Sequence, residues 1–201
     1  MEPVESFDYK HHRIDIFLDI DPDFGNPRDA DNLGIMYCEH KRYVLGDMPD
    51  EFARHIPEID EIRSALREVQ ERGYSFDRLE RYLRWTIGTG TILPLFLYDH
   101  SGLAMNTGGF SAFDSARWDW GQVGFICDSK RTREMTGAPL DSIESQLANE
   151  VLYYDAYLRG NCYGYTVTNI ATGIEVDACW GFLVATDEDM EYIRDEARAA
   201  A

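Results

Sequence analysis

Leu93 to Ser129 constrains the fold of this chain more than any other stretch. It reads LPLFLYDHSGLAMNTGGFSAFDSARWDWGQVGFICDS. Two apolar runs, Ile92 to Tyr98 and Leu103 to Met105, flank the polar turn Asp99-His100-Ser101-Gly102. Strands joined by so short a turn run antiparallel, because a parallel pair needs a crossover of a dozen residues or more. Asn106 to Asp119 reads as loop, and Gln122 to Cys127 as a third strand of the same sheet.

The same pattern recurs at both ends. Ile14, Ile16, Leu18 and Ile20 alternate with Asp15, Phe17, Asp19 and Asp21, which predicts a strand over 14–20. Ile35 to Cys38 predicts a short strand. Cys162 to Thr168 and Ile174 to Leu183 predict a closing hairpin through Ala171-Thr172-Gly173. Helical spacing appears between these strands. Ile59, Ile62, Leu66 and Val69 predict a helix near 58–72, and Leu79, Tyr82 and Leu83 a second over 77–85. Ile143, Leu147, Val151, Tyr154 and Leu158 predict a helix over 142–159, with Asp141 and Glu144 as a capping box. Thr186 caps a last helix near 187–198. Residues 1–12 read as loosely held. The expected architecture is therefore α+β: a mainly antiparallel sheet with helices packed on one face or at the ends. Residues 1–201 are expected to form a single domain, with a helical insert at about 50–90 as the alternative boundary.

The formal net charge of −18 excludes direct nucleic-acid binding, which draws on Lys and Arg to neutralise phosphates. Acidity favours a basic partner, a cation or solubility alone. No apolar run is long enough to span a membrane; the longest, Ile92 to Tyr98, contains a proline. The cysteines at 38, 127, 162 and 179 lack C-x-x-C spacing and lie among apolar or aromatic neighbours. They read as reduced residues, at least three of them buried, in a cytoplasmic protein.

Asp99-His100-Ser101 holds the residue types of a hydrolase triad, but adjacent residues cannot place a base between nucleophile and acid. A turn is the simpler reading, and no catalytic residue is assigned. Asp99, His100 and Gln122 remain the candidates for a ligand pocket. The carboxylates Asp15, Asp19, Asp21, Asp23, Asp29 and Asp31 crowd a strand and the loop after it. Two strand carboxylates two residues apart sit roughly 6.7 Å from each other, too far to share one ion. An EF-hand loop begun at Asp19 fails, with Phe24 and Ala30 where Gly and Glu belong. Cys38 and His40 share a strand face without forming a ligand set. No metal and no cofactor is implied. Trp118 and Trp120 stand in a glycine-bearing aromatic loop suited to a partner. The six carboxylates and these two tryptophans form the expected partner-binding set.

Five motifs carry a resemblance. They are Asp31-Asn32-Leu33-Gly34-x-Met36 with Tyr43-x-Leu45-Gly46-Asp47, then Leu93 to Gly102, Trp118-Asp119-x-Gly121-Gln122-Val123-Gly124-Phe125-Ile126, Tyr153 to Tyr165, and Asp177-x-Cys179-Trp180-Gly181-Phe182. Together they resemble a family of small uncharacterised acidic proteins carried by phages and plasmids. The resemblance implies an accessory protein of a mobile element in a prokaryotic cytoplasm, and no activity. The leading expectation is a non-enzymatic counter-defence inhibitor, of anti-restriction or anti-CRISPR type, whose acidic surface docks on a basic host protein. One alternative is a small enzyme, or a nucleotide- or metal-binding protein, with a site between the 93–129 platform and the Asp19–Asp31 loop. The other is a structural accessory protein acidic only for solubility.

Overall fold

The computed structural model describes residues 1–20, 25–47, 62–64, 66–67, 77–86, 88–112 and 118–201. Its strands are β1 (Glu5–Tyr9), β2 (His12–Leu18), β3 (Ile35–Cys38), β4 (Ile92–Asp99), β5 (Leu103–Asn106), β6 (Trp120–Cys127), β7 (Cys162–Asn169) and β8 (Glu175–Leu183). The helices are α1 (Asp77–Thr86), α2 (Lys130–Thr136), α3 (Ile143–Arg159) and α4 (Asp187–Ala199), with 3-10 turns at Pro27–Asp29 and Leu140–Ser142. All strand pairs of the two sheets are antiparallel, so the fold is α+β. The strands form two four-stranded sheets, in the orders β1-β2-β7-β8 and β3-β6-β4-β5, in place of the one sheet expected. Local alternation marks a strand but not which distant strand it pairs with.

The chain divides into two compact units. One combines Met1–Asn26 with Ala156–Ala201, and the other is the contiguous stretch Pro27–Asp155. In the first unit, Ile14 and Ile16 of β2 meet Tyr165 and Val167 of β7 and Ile193 and Ala197 of α4 in one buried cluster. Phe7 and Tyr9 pack against it. That packing is why residues 5–9 form a strand instead of the loose arm expected: two aromatics at strand spacing find a core to cover. β2 ends at Leu18, short of the expected Ile20, and Leu18 and Ile20 are both exposed. The Asp19 amide already donates to the Cys162 carbonyl, at 2.8 Å.

In the second unit, Ile35, Tyr37, Phe125 and Cys127 present one sheet face to Ile62, Leu66, Leu79 and Leu83. The alternate positions Met36, Leu95, Leu97, Met105 and Ile126 are buried as well, so both faces are covered. Of the expected 58–72 helix, residues 62–64 and 66–67 are helical, and the rest lies outside the described residues. The capping box expected at Asp141 is absent. Asp141 sits inside the 3-10 turn, and the Ser142 hydroxyl accepts from Gln146 Nε2 at 2.6 Å. The helix α2 has a capping box at Ser129 and Thr132 that the sequence reading passed over.

Motif residues turn out to be structural here. Arg28 is buried. It donates to Asp47 and Glu150 at 2.7 Å each and to the Gly34 carbonyl at 2.6 Å. Glu150 accepts in turn from the Leu33 and Gly34 amides, and Asp47 from the Met36 amide. A Cβ on Gly124 would lie 1.9 Å from the Tyr37 carbonyl oxygen, so only glycine lets β3 approach β6 there. Asp128, fully buried, accepts from the Thr91 and Gly90 amides, the Thr89 hydroxyl and Arg133.

Candidate functional site

Of the expected acidic set, Asp15 and Asp19 belong to the first unit, and Asp29 and Asp31 to the second. Asp15 lies in β2, where its carboxylate accepts from Ser6 and from Arg13 Nε at 3.0 Å. Its charge is therefore compensated within the sheet. Asp19 follows the strand end. Asp29 and Asp31 are exposed in the second unit, one in a 3-10 turn and one in the loop after it. Asp21 and Asp23 lie outside the described residues. Trp120 is buried, edge-on to Phe96 and Phe110 at 5.6 and 6.2 Å, so it serves as core and not as contact surface. Its strand register sets it across from Tyr98, on the face that Phe110 closes. Trp118, two residues earlier, is exposed.

Asp99 and His100 stand together at the end of β4 but address different partners. Asp99 accepts from Arg42, and from the Tyr43 hydroxyl at 3.4 Å. His100 Nδ1 lies 3.1 Å from an Asp119 oxygen. Ser101 takes a left-handed φ of 59°, as a turn residue does. Gln122, opposite Phe96, donates to the Gly124 carbonyl at 3.3 Å. His40 stacks on Tyr43 at 5.0 Å between centroids. Burial pulls the His40 pKa down and Arg42 adds to that, against the opposing pull of Asp99. This is a surface cluster of paired charges, with Asp99 and His100 each turned to a different partner. Among the described residues no three His, Cys, Asp or Glu side chains are placed to hold a metal ion. No described helix is long and apolar enough to cross a membrane.

The cysteines are free thiols. Cys127 and Cys162 are buried, and burial pushes them up to about 12 and about 11. Cys38 is half-buried. Cys179 is exposed, and with Cys38 half-buried only two of the four are fully buried, against the three or more expected. Its aromatic and apolar neighbours in sequence misled, because β8 is an edge strand with open sides.

That strand and α4 form the site the sequence reading missed. All six residues from Glu175 to Trp180 are exposed. Trp180 stacks on Phe17 at 5.8 Å and lies over Gly164, where a Cβ would come within 2.2 Å of the indole. Asp177 accepts from the Tyr165 hydroxyl at 3.5 Å. Tyr192 of α4 meets Phe182 edge-on at 6.3 Å, and the Glu196 charge raises its pKa. Burial, then Asp177, Cys179 and Glu196, push the Tyr165 phenol up to about 12. Asp177, Cys179, Tyr192 and Glu196 thus share one surface where β8 meets α4. Asp187, Glu188, Glu191 and Asp195 extend its acidity along the helix, all exposed. Of these, Glu191 and Asp195 are paired with arginines of the same helix. Arg194 is held by Glu5 and Glu191, and Arg198 by Glu191 and Asp195.

Comparison with protein-family models, with curated proteins and with solved structures finds no match to this chain. Its chemistry is therefore read from the site. The sequence does carry one signal for the β8–α4 face: from Gly160 to Ile193 there is no Lys or Arg, while Glu175, Asp177, Asp187, Glu188, Asp189 and Glu191 fall within that span.

Proposed function

We propose that this chain is a non-enzymatic interaction protein of a mobile element, a counter-defence inhibitor that docks an acidic surface on a basic host protein in a prokaryotic cytoplasm. The observation that carries the reading is the β8–α4 face, exposed, aromatic and acidic, with no Lys or Arg in its chain from Gly160 to Ile193. A net charge of −18 speeds encounter with a positive channel, and a fixed acidic face gives that attraction a geometry. We place the docking surface at Glu175, Asp177, Glu188 and Glu191, in preference to the Asp15–Asp31 set.

Affinity capture from the natural host, repeated across a salt series, tests this. Wild type should retain a basic nucleic-acid-binding protein at low salt and release it as salt rises, since exposed charges are screened within about 8 Å at physiological salt. Reversing Glu175, Asp177, Glu188 and Glu191 to Lys should abolish retention, and reversing Asp29 and Asp31 should not. Full-strength retention by the four-fold variant would overturn the assignment of this face. Failure to retain any host protein would leave acidity for solubility as the reading.

The second reading, a small enzyme, draws on the His100–Asp119 contact beside the Asp99–Arg42 pair. An activity that His100→Ala removes, with the melting temperature unchanged, would favour it.

A further inference from the structure

Edge strands invite pairing with another chain, and natural proteins guard them with short length, Lys, Pro or bulges. Three of the four sheet edges here are short: β1 has five residues, and β3 and β5 have four each. The fourth, β8, has nine, with neither Lys nor Pro. Its register against β7 shifts between Tyr163 and Tyr165 and again between Val167 and Thr168. Between those shifts Asp177, Ala178 and Cys179 pair regularly with β7, and along such an edge strand alternate residues turn their N–H and C=O away from the neighbour.

We infer that β8 is an acceptor for strand addition, and that its occupant is an extended basic segment of the partner protein. The inference rests on the docking function proposed above and specifies how that docking is built. Charge selects the occupant. Asp177 is paired with Val167, which packs on α4, and Asp177 and Glu196 both act on the Tyr165 phenol, while Trp180 lies on the other side over Gly164 and Phe17. A strand added to β8 therefore meets carboxylates along one of its faces and an indole along the other. Alternating basic and apolar residues satisfy both, because successive strand side chains point to opposite faces. A second copy of this chain fits poorly. Antiparallel self-pairing about Ala178 sets the two Asp177 side chains diagonally, at roughly 7–8 Å, with no cation in either strand. Each copy also carries a net −18.

The probe is the peptide acetyl-KVKVKVK-amide, titrated against the full chain by calorimetry beside two N-methylated versions. One is methylated at every Lys amide, the other at every Val amide. In an added strand one of these amide sets faces β8 and the other faces solvent. Strand addition therefore predicts that one methylated peptide loses binding and the other keeps it. The double variant Asp177→Lys, Glu196→Lys should weaken the Lys–Val peptide by about tenfold or more and should gain binding to acetyl-EVEVEVE-amide. That gain shows that the variant is folded. If both methylated peptides bind like the parent while the charge swap still reverses preference, strand addition is overturned and acidic docking stands. If the charge swap also has no effect, both fall. A dimer of the free chain that the peptide cannot dissociate would put a second copy on the edge and overturn the assignment of the occupant.

Discussion

Arg28 is a cation with almost no access to water, and its fork is spoken for in three directions by Asp47, Glu150 and the Gly34 carbonyl. Removing one member of such a cluster leaves the others charged and unpaired. Arg28→Met should therefore lower stability by about 3–5 kcal/mol, read as a fall in the urea midpoint. His40 behaves in the opposite sense. Burial lowers its pKa, so the unfolded chain takes up a proton more readily than the folded one. Stability should thus decline as pH falls below about 6.5, the ordinary histidine value, and level off once pH is below the depressed folded value. Denaturation midpoints measured between pH 5 and 7.5 should flatten in His40→Gln. Thiol chemistry separates the cysteines as cleanly. Cys127 and Cys162 are buried with raised pKa values, burial pushes the half-buried Cys38 thiol up further, and Cys179 is open. A native titration at pH 8 should show one fast thiol, and four after unfolding.

Elements whose signal is local were legible in the sequence. The 92–106 hairpin, the 162–183 hairpin and the helices at 77–86, 143–159 and 187–199 all follow from turn residues and apolar spacing carried within the segment itself. What stayed hidden was non-local. β1 is a strand because Phe7 and Tyr9 have a core to reach, and Ile14 and Ile16 complete that core only with Tyr165 and Val167, about 160 positions from β1, and with Ile193 and Ala197 of α4. The exposure of Cys179 depends on β8 having a neighbour on one side only. Trp120 and Trp118 look alike in sequence, yet strand register buries one and leaves the other out. Caps were read unevenly. Thr186 was legible because its hydroxyl partner, the Asp189 amide, lies three residues on, at 3.2 Å. Ser129 has the same bond to Thr132, at 3.1 Å, but follows a strand so closely that no loop announced it. Thr186→Ala should cost about 1 kcal/mol, visible in thermal unfolding, because it removes one acceptor from the first turn of α4.

The whole chain carries far more negative than positive charge, 37 acidic residues against 19 basic. Compaction brings those charges together, and salt relieves the repulsion. Thermal melting should therefore move upward as NaCl is raised from 10 to about 300 mM, by more than the loss of exposed ion pairs such as Arg198–Asp195 takes away. The division into two units bears on a different property. The first unit needs residues from both ends, since β2 pairs with β7 and the Ile14–Val167 partners bracket the entire second unit. On the ribosome the second unit is contiguous, and its sequence is complete before β7 has been made. The N-terminal hairpin must wait, with one edge of β2 unpaired, until the last strands and α4 emerge. The β8–α4 face therefore forms only after the sequence of the second unit is complete, so a nascent chain stalled before β7 would display the second unit without that face.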